Sequence, residues 1–298
     1  MERGGPGLYG IQTFLIMKSY PRVLTIAGSD SGGGAGIQAD IKAISATGSY
    51  AASAITAVTV QNTIGVSAVH NVPVEIIKGQ ISAVLSDIGA DAVKIGMLST
   101  AEVVRAVKES LIEFGVSNIV LDPVMVATSG DRLIDENAVK VLASELAPSA
   151  RVLTPNIPEA EILAGQKISS QEDLPVIARK LSERVSSIQG RPVSVLMKAG
   201  HLEDEELVDY FWNAEDGHIV ELHSKRVFSG NTHGTGCTLS SALASYLAQG
   251  FGLDDAAFKA KEYISRAIES GAEYAIGHGH GPVDHFWRFK QSTNSFNI

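Results

Sequence analysis

Six polar side chains stand at or just beyond the ends of apolar runs that have the length of β-strands. They are Asp30, Gln61, Lys94, Asp122, Asn156 and Lys198. Carboxylates, amides and ammonium groups can bind metal ions, anions and polar rings, and in open α/β sheets ligands bind beyond the carboxyl ends of the strands. We therefore predict that these six groups gather along one rim of a sheet and form a site there.

A glycine-rich segment at residues 231–240 precedes an apolar helical run. Glycines ahead of a helix start can form a nest of backbone N–H donors, with the positive end of the helix dipole behind it. A phosphoryl group in transfer needs such donors, because negative charge spreads over its oxygens. The segment predicts an anion hole with a catalytic role at Gly234, Thr235 and Gly236.

Cys237 is the only cysteine of the chain and follows these glycines at the same helix start. The helix N-terminus should lower the pKa of its thiol, so that the thiolate could take a proton from a substrate hydroxyl. A small buried filler is the other interpretation of this residue. A cysteine protease or acyltransferase with His233 as partner base is a further alternative, but four residues across a glycine turn do not ensure contact.

A second glycine-rich segment, residues 28–36, follows the first apolar run and leads into a helix, so its backbone N–H groups could approach a ligand. It is not a P-loop, because no Gly-Lys-Ser/Thr closes it. Residues 34–39 match the relaxed dinucleotide fingerprint, but valine and threonine occupy positions 58–60, where an acidic ribose ligand would stand. A tight turn without a ligand is the remaining alternative.

Two further motifs place metal and phosphate ligands at strand ends. Asn156 and Glu159 could hold hydrated Mg²⁺ through water, with Asp122 as a second carboxylate. The alternative for the first two is a helix cap with a first-turn glutamate that stabilises the dipole. Lys198, directly after an apolar strand, could neutralise a transferring phosphate, and Lys94 has the same placement.

Three histidines near the end of the chain, His278, His280 and His285, suggest zinc. No carboxylate or thiol completes a recognised ligand spacing. We therefore expect a C-terminal loop that packs on the domain, with zinc as the alternative.

Apolar runs of strand length alternate with segments of helical period, which predicts an α/β fold with a mostly parallel sheet covered by helices on both faces. Strands are predicted at residues 23–27, 52–60, 92–95, 118–121, 152–153 and 193–196. An antiparallel meander is predicted at residues 207–212, 218–222 and 225–227, with a turn at Asp216-Gly217.

Helices are predicted at residues 74–88 and 100–114, the second opened by a capping box from Ser99 to Glu102. An apolar stripe indicates another helix and consists of Val139, Leu142 and Leu146. Two C-terminal helices are predicted to begin at about Thr235 and Asp254.

The composition limits the classes of protein and partner. The 298 residues are 45% apolar and carry a net charge of −9, which fits one large α/β domain and argues against a nucleic-acid partner. No run of about 18 apolar residues could span a membrane, and a single cysteine excludes a disulfide framework, so the cytoplasm is the expected compartment. We expect a disordered leader at residues 1–20, one domain at 21–290 and a frayed tail at 291–298.

Seven motifs in order along the chain closely resemble the hydroxymethylpyrimidine/phosphomethylpyrimidine kinases of thiamine synthesis. They are Thr-Ile-Ala-Gly-Ser-Asp with Gly-Gly-Ala-Gly-Ile-Gln-Ala-Asp40, Val-Gln61-Asn-Thr, Lys-Ile-Gly-Met97-Leu, Leu-Asp122-Pro-Val-Met, Thr-Pro-Asn156-Ile-Pro-Glu159, Leu-Met-Lys198-Ala-Gly-His and Asn-Thr-His-Gly-Thr-Gly-Cys237-Thr. The resemblance runs from about Arg22 to Trp287. It implies a ribokinase-like three-layer sandwich, ATP with Mg²⁺ as the donor, a homodimer, and phosphorylation of an aminopyrimidine alcohol and then of its monophosphate.

The same resemblance implies roles for individual residues. The substrate would be bound by Gln61, Gly28, Asp40, Met97 and Val124. Magnesium would be held by Asn156, Glu159 and Asp122, and the phosphates by Lys198 and the anion hole from Gly234 to Gly236.

Ribokinase-like sugar kinases carry an aspartate base where this chain has Cys237, so the assignment of the base stays open. The first glycine loop reads Ser-Asp-Ser-Gly-Gly-Gly, where Asp-Pro-Ser-Gly-Gly is common in the family. A pyridoxine or pyridoxal kinase is the nearest alternative function. A non-catalytic ligand-binding protein on the same fold is the alternative from another class.

Overall fold

The computed structural model describes residues 19–126, 130, 133–200, 202 and 205–290. Residues 1–18 of the predicted leader and the predicted tail at 291–298 lie outside the described residues, so both remain predictions. One nine-stranded sheet organises the described part of the chain.

The strands of this sheet are β1 (Arg22–Asp30), β2 (Tyr50–Gln61), β3 (Val66–Asn71), β4 (Ala92–Ile95), β5 (Ile119–Leu121), β6 (Val152–Leu153), β7 (Ser194–Met197), β8 (Glu206–Asn213) and β9 (His218–Lys225). Their order across the sheet is β3-β2-β1-β4-β5-β6-β7-β8-β9. The six central strands run parallel, whereas β3, β8 and β9 pair antiparallel at the two edges. The prediction of a mostly parallel sheet is therefore confirmed.

The helices are α1 (Gly36–Ala46), α2 (Val74–Asp87), α3 (Ala101–Glu113), α4 (Glu136–Val141), α5 (Ile157–Ala164), α6 (Leu174–Gln189), α7 (Thr235–Ala248), α8 (Leu253–Gly271) and α9 (Trp287–Lys290). Buried residues of α1, α7 and α8 form one core against the sheet, and those of α2 to α6 form the other. Successive strand residues serve opposite cores, since Val23 belongs to the first and Leu24 to the second. The result is the expected sandwich of three layers.

Most predicted elements are present with boundaries shifted by a few residues, including the turn at Gly217 and the buried stripe of Leu142 and Leu146. The prediction of a third meander strand at residues 225–227 is wrong, because Lys225 is the last residue of β9. Sequence reasoning missed β3, since five of its six residues are exposed and it has no apolar pattern. It also missed α6.

The predicted cap of α3 is wrong by one residue. The side chain of Thr100 accepts the backbone N–H of Val103 at 3.4 Å, so Thr100 is the N-cap. The hydroxyl of Ser99 instead donates to Asn71 Oδ1 at 2.7 Å. Ser99 therefore ties the start of this helix to the end of β3.

Parallel strands end at the same edge of a sheet, so the carboxyl ends of β1, β2, β4, β5, β6 and β7 lie side by side. Asp30, Gln61 and Lys94 lie in the last residues of their strands, and the other three predicted polar groups follow theirs. None of the helices within the described residues has the length and apolar character needed to cross a lipid bilayer.

Candidate active site

A cavity of about 610 Å³ opens at the carboxyl ends of the parallel strands. All six predicted rim groups line it. The other predicted site residues that line it are Gly28, Met97, Val124, Glu159, Gly234, Thr235, Gly236 and Cys237. The structure thus brings together every predicted site residue except Asp40.

Asp122 and Lys198 form an ion pair at the centre of the cavity, with Lys198 Nζ 2.9 Å from Asp122 Oδ1. Thr154, at the end of β6, donates its hydroxyl to the same oxygen at 2.9 Å. Burial opposes ionisation of Asp122, but Lys198 and Lys94 hold the pKa of its carboxyl below the ordinary value. The pair therefore presents one anion and one cation to a ligand.

Asn156 and Glu159 form a capping box at the start of α5. Asn156 Oδ1 accepts the backbone N–H of Glu159 at 2.9 Å, and Glu159 Oε2 accepts that of Asn156 at 2.8 Å. The capping alternative is therefore confirmed as a local structure. Burial raises the pKa of Glu159 to about 7, although Lys198, whose Nζ lies 4.0 Å from Glu159 Oε2, acts against this.

The same residues fit a hydrated magnesium ion. Asp122, Asn156 and Glu159 offer oxygen atoms, which are the ligands that Mg²⁺ prefers. Because burial penalises the charge of Glu159, a cation beside it would stabilise the carboxylate. The capping hydrogen bonds already use some lone pairs of Asn156 and Glu159. Contacts to the metal ion through its bound water molecules would need fewer free lone pairs than direct coordination.

The start of α7 faces this charged cluster. Gly234 has a φ of 77°, and a Cβ there would collide with the carbonyl oxygen of Gly34, so the two glycine-rich segments pack backbone to backbone. A Cβ on Gly236 would lie 3.2 Å from Lys198 Nζ and 3.5 Å from Asp122 Oδ2. The first-turn N–H groups of a helix lack intrahelical acceptors, so the predicted anion hole adjoins a lysine.

The predicted pKa of Cys237 is wrong in direction. Burial raises the pKa of the thiol to about 11, and the nearby ammonium of Lys94 only partly offsets this. The helix N-terminus is not enough to outweigh desolvation here. Cys237 still borders the cavity and is partly accessible, so it meets a ligand as a neutral thiol at neutral pH.

Asp40 does not line the cavity, in contrast to the contact with the substrate ring that the family resemblance implies. Its carboxylate is fully buried beneath the floor and accepts Lys94 Nζ at 2.8 and 2.9 Å. The hydroxyls of Thr25 and Ser241 donate to the same carboxylate at 2.6 and 2.8 Å. Every contact of Asp40 is therefore internal to the fold.

The end of the cavity near β1 and β2 is built around Gln61 and His233. His233 Nε2 lies 2.9 Å from Asp30 Oδ2 and 3.4 Å from the side-chain nitrogen of Gln61. Asp30 also accepts the backbone N–H groups of Gly32 and Ala35 at 2.8 Å. His233 therefore pairs with an aspartate at this end of the cavity.

The opposite end of the cavity is apolar and was not predicted. It is lined by Val227, Leu239, Ile264 and Ile268. Beside them, Lys261 Nζ lies 2.7 Å from Asp209 Oδ2, and Asp209 Oδ1 accepts the backbone N–H of Ala199 at 2.8 Å. No sequence signal marks Lys261, because a lysine on an amphipathic helix is ordinarily a surface residue.

The histidines near the end of the chain do not gather as a zinc site in the described residues. His285 is buried and lies 3.0 Å from the hydroxyl of Thr238, while the backbone N–H groups of His278 and Gly279 donate to Thr63. The loop expectation is confirmed. Within the described part, three side chains come close enough to share a metal ion elsewhere, at Asp216, His218 and Asp254.

A model of the phosphomethylpyrimidine kinase family matches residues 30–284. The chain belongs to this family. A hydroxymethylpyrimidine/phosphomethylpyrimidine kinase of Rhizobium meliloti is 47% identical over 89% of this chain and 97% of the relative. A thiamine biosynthesis bifunctional protein of Geobacter sulfurreducens is 48% identical over 89% of this chain, but the chain spans only 53% of that protein's length.

Solved structures of two enzyme classes are similar to this chain. The phosphomethylpyrimidine kinase of Clostridium difficile is 44% identical with a TM-score of 0.70, covering 83% of this chain and 99% of that one. A pyridoxal kinase of Staphylococcus aureus, solved with pyridoxal, has a TM-score of 0.80 at 31% identity, covering 91% and 95%. The backbone likeness therefore spans both classes, whereas sequence identity is higher with the pyrimidine kinase.

Proposed function

We propose that this protein transfers the γ-phosphoryl group of ATP to the hydroxyl of 4-amino-5-hydroxymethyl-2-methylpyrimidine, and then phosphorylates the resulting monophosphate to the diphosphate. One observation carries the proposal: the glycine-rich start of α7 shares a single cavity with the pair Asp122–Lys198 and with Gln61. One bound substrate could therefore contact the anion hole, the cation of Lys198 and the carboxamide of Gln61, which can hydrogen-bond a heteroaromatic ring. The family membership of the chain supports this assignment.

The division of the cavity supports a role for each part. Gln61, Gly28, Met97 and Val124 form the end for the pyrimidine, and the apolar end at α8 takes the adenine. Lys198 and the backbone around Thr235 stabilise the negative charge on the phosphoryl oxygens. Asp40 contributes indirectly, because it holds Lys94 in place at the floor of the cavity.

Asn156, Glu159 and Asp122 would hold Mg²⁺, which supplies charge neutralisation between the phosphates. Cys237 lies beside the proposed position of the attacking hydroxyl. Because its pKa is about 11, it enters the reaction as a thiol. A loose transition state for phosphoryl transfer needs little deprotonation of the nucleophile in advance, so a resting thiolate is not required.

We also propose that the protein is a cytoplasmic enzyme and works as a homodimer. A net charge of −9 and a single cysteine support a reducing compartment and argue against nucleic acid as a partner. Exposed apolar side chains on β2 and β3, which are Val58, Val60 and Val69, offer a surface for a second copy. Sedimentation of the purified protein tests the dimer.

Pyridoxal or pyridoxine is the second candidate substrate. The TM-score of 0.80 with the pyridoxal kinase of Staphylococcus aureus favours it. Both candidates are planar heteroaromatic alcohols and would use the same donor machinery. They differ in the donors and acceptors of the ring edge to which Gln61 would hydrogen-bond.

The test is a coupled assay of ADP release with Mg²⁺, ATP and each of three substrates: the pyrimidine alcohol, its monophosphate, and pyridoxine. We expect turnover with the first two and a lower kcat/KM with pyridoxine. Gly236→Asp is the control, since a carboxylate against Lys198 and Asp122 would repel phosphate and abolish turnover. Absence of turnover with both pyrimidines contradicts the proposal, and turnover of the alcohol alone contradicts its second step.

A further inference from the structure

Gln61 is held by its neighbours at both its backbone and its side chain. Its backbone N–H donates to Ser31 Oγ at 2.9 Å, and the hydroxyl of Ser31 donates to the carbonyl oxygen of Gln61 at 2.7 Å. Its carboxamide lies between Thr59 on one side and His233 on the other. The orientation of that carboxamide decides what kind of ring edge it can bind.

The number of hydrogen atoms that Thr59 can donate restricts the orientation of the Gln61 carboxamide on one side. Thr59 Oγ1 lies 2.8 Å from the carbonyl oxygen of Ser29 and 3.0 Å from the side-chain oxygen of Gln61. A hydroxyl carries one hydrogen, and it can donate to only one of these two oxygens. With the shorter contact made to Ser29, Thr59 can only accept from Gln61, so a carboxamide NH₂ fits this side better than an oxygen.

The hydrogen atom on His233 Nε2 restricts the orientation of the Gln61 carboxamide on the other side. Asp30 is an acceptor, because its carboxylate receives backbone N–H groups and, despite burial, its pKa is held below the ordinary value. His233 Nε2, 2.9 Å from Asp30 Oδ2, must therefore carry a hydrogen. That hydrogen is used by Asp30, but the N–H still disfavours an amide nitrogen 3.4 Å away, which leaves the carboxamide oxygen as the better neighbour on this side.

We propose that the carboxamide of Gln61 is rotated by a half turn, with its NH₂ toward Thr59 and its oxygen toward His233, and that these two neighbours thereby set the specificity of the enzyme for an amino group beside a ring nitrogen. This inference rests on the proposed function. The rotated group keeps one lone pair on the His233 side and one N–H on the Thr59 side for the ligand. A 4-aminopyrimidine matches this pattern with an exocyclic donor and a ring acceptor.

The matched probe is the 4-oxo analogue of the same alcohol, in which the exocyclic group accepts and the adjacent ring nitrogen donates. A carboxamide free to rotate would bind both compounds, since a half turn exchanges its donor and its acceptor. A fixed carboxamide binds only one of them well when both rings enter the cavity with the hydroxymethyl group toward the anion hole. Thr59 and His233 are therefore positioning residues, and the ratio of the two affinities reports on them.

The experiment measures dissociation constants of both alcohols by calorimetry without nucleotide, and KM and kcat for both with MgATP. We expect the wild type to bind the amino compound at least about tenfold more tightly. Thr59→Val, which removes the hydroxyl and keeps the shape, should reduce the ratio to about threefold or less, with the loss in KM rather than in kcat. Thr59→Ser restores the hydroxyl and should restore the ratio, and His233→Phe should act like Thr59→Val.

The outcomes separate this inference from the proposed function. A wild type that binds neither pyrimidine overturns both. A wild type that binds and phosphorylates the amino compound, together with a folded Thr59→Val whose affinity ratio is unchanged, overturns the inference alone. Loss of the ratio in Thr59→Val and its recovery in Thr59→Ser support it, because a merely structural defect would weaken both ligands equally.

Discussion

Two aspartate–lysine pairs in this molecule are built from the same residue types and differ in what they face. The outer pair is Asp122–Lys198, and the inner pair is Asp40–Lys94. Each aspartate also accepts one threonine hydroxyl from a strand or its end and has a serine hydroxyl of α7 within 3.4 Å. The donors are Thr154 and Ser240 for the outer pair and Thr25 and Ser241 for the inner pair.

The difference lies in how completely each pair is enclosed. The side chain of Lys94 is 0% exposed, although it borders the cavity floor, and its Nζ contacts both oxygens of Asp40. The side chain of Lys198 is 13% exposed, and its Nζ contacts one oxygen of Asp122. The same chemistry thus serves the fold where it is sealed and is available to a ligand where one side stays open.

The largest expected effect comes from breaking the inner pair. Lys94→Met leaves the carboxylate of Asp40 buried without a cation, which costs about 3–5 kcal/mol of unfolding free energy. Urea unfolding followed by circular dichroism measures the loss. The control is Lys94→Met combined with Asp40→Asn, which removes both charges and should recover most of the stability. A single variant as stable as the wild type would show that the inner pair does not support the fold.

Breaking the outer pair should affect turnover more than stability. Lys198→Met removes the proposed phosphate cation and should lower kcat by about 10²- to 10³-fold. Asp122 keeps the hydroxyl of Thr154 and the nearby charge of Lys94, which limits the loss of stability. Steady-state kinetics and thermal unfolding measure the two effects. Lys198→Arg is the matched control, because it keeps the charge but changes its geometry. A kcat equal to that of the wild type in Lys198→Met would show that the outer pair has no role in turnover.

The location of the outer pair could be predicted from the sequence, but the enclosure of the inner pair could not. The end of an apolar run marks Asp122 and Lys198, because parallel strands end at one edge. Asp40 lies inside α1, and only the packing of Ser241 and Lys94 around it shows that it is sealed. Residues close in space but far apart in sequence give no local signal.

The same reason explains the other differences between sequence and structure. The helix N-terminus at Cys237 was visible in the sequence, but the burial that raises its pKa was not. The contact between Asp30 and His233 joins residues 203 positions apart. Local patterns therefore predicted elements and their ends, whereas desolvation and cross-chain contacts needed the fold.

Cys237 lies near both pairs, and its reactivity depends on how far burial raises its pKa. With a pKa of about 11, the thiolate fraction at pH 8 is only about 10⁻³, so alkylation by iodoacetamide should accelerate about tenfold per pH unit from 7 to 10 without a plateau. Cys237 is the only cysteine, so the total rate reports on it. A plateau near pH 8 to 9 would mean that burial does not control this thiol.

The same measurement distinguishes the charges of the inner pair. Lys94 lowers the pKa of Cys237 more strongly than Asp40 raises it. Removing both charges in Lys94→Met with Asp40→Asn should therefore raise the pKa further and slow alkylation at pH 8 several-fold. Faster alkylation in the double variant would show that Asp40, not Lys94, dominates the field at the thiol.

The smallest expected effects come from the two neighbouring serines of α7, one for each pair. Ser241→Ala removes a 2.8 Å hydrogen bond to the sealed Asp40, where no water can replace it, and should cost about 1–3 kcal/mol of unfolding free energy. Ser240→Ala removes a contact of 3.4 Å to Asp122, and the Ser240 hydroxyl also bonds the carbonyl oxygen of Gly236 in its own helix.

Ser240 is as buried as Ser241, but its contact to Asp122 is the longer one and Asp122 keeps the closer donors Lys198 and Thr154. Ser240→Ala should therefore cost less than about 1 kcal/mol in the same urea assay. The two variants make the same substitution on adjacent residues of one helix, so helix propensity cancels between them. Any difference in their stability then measures how much each aspartate depends on its serine hydroxyl. Equal losses for the two serines would mean that the inner pair depends on its serine no more than the outer pair does.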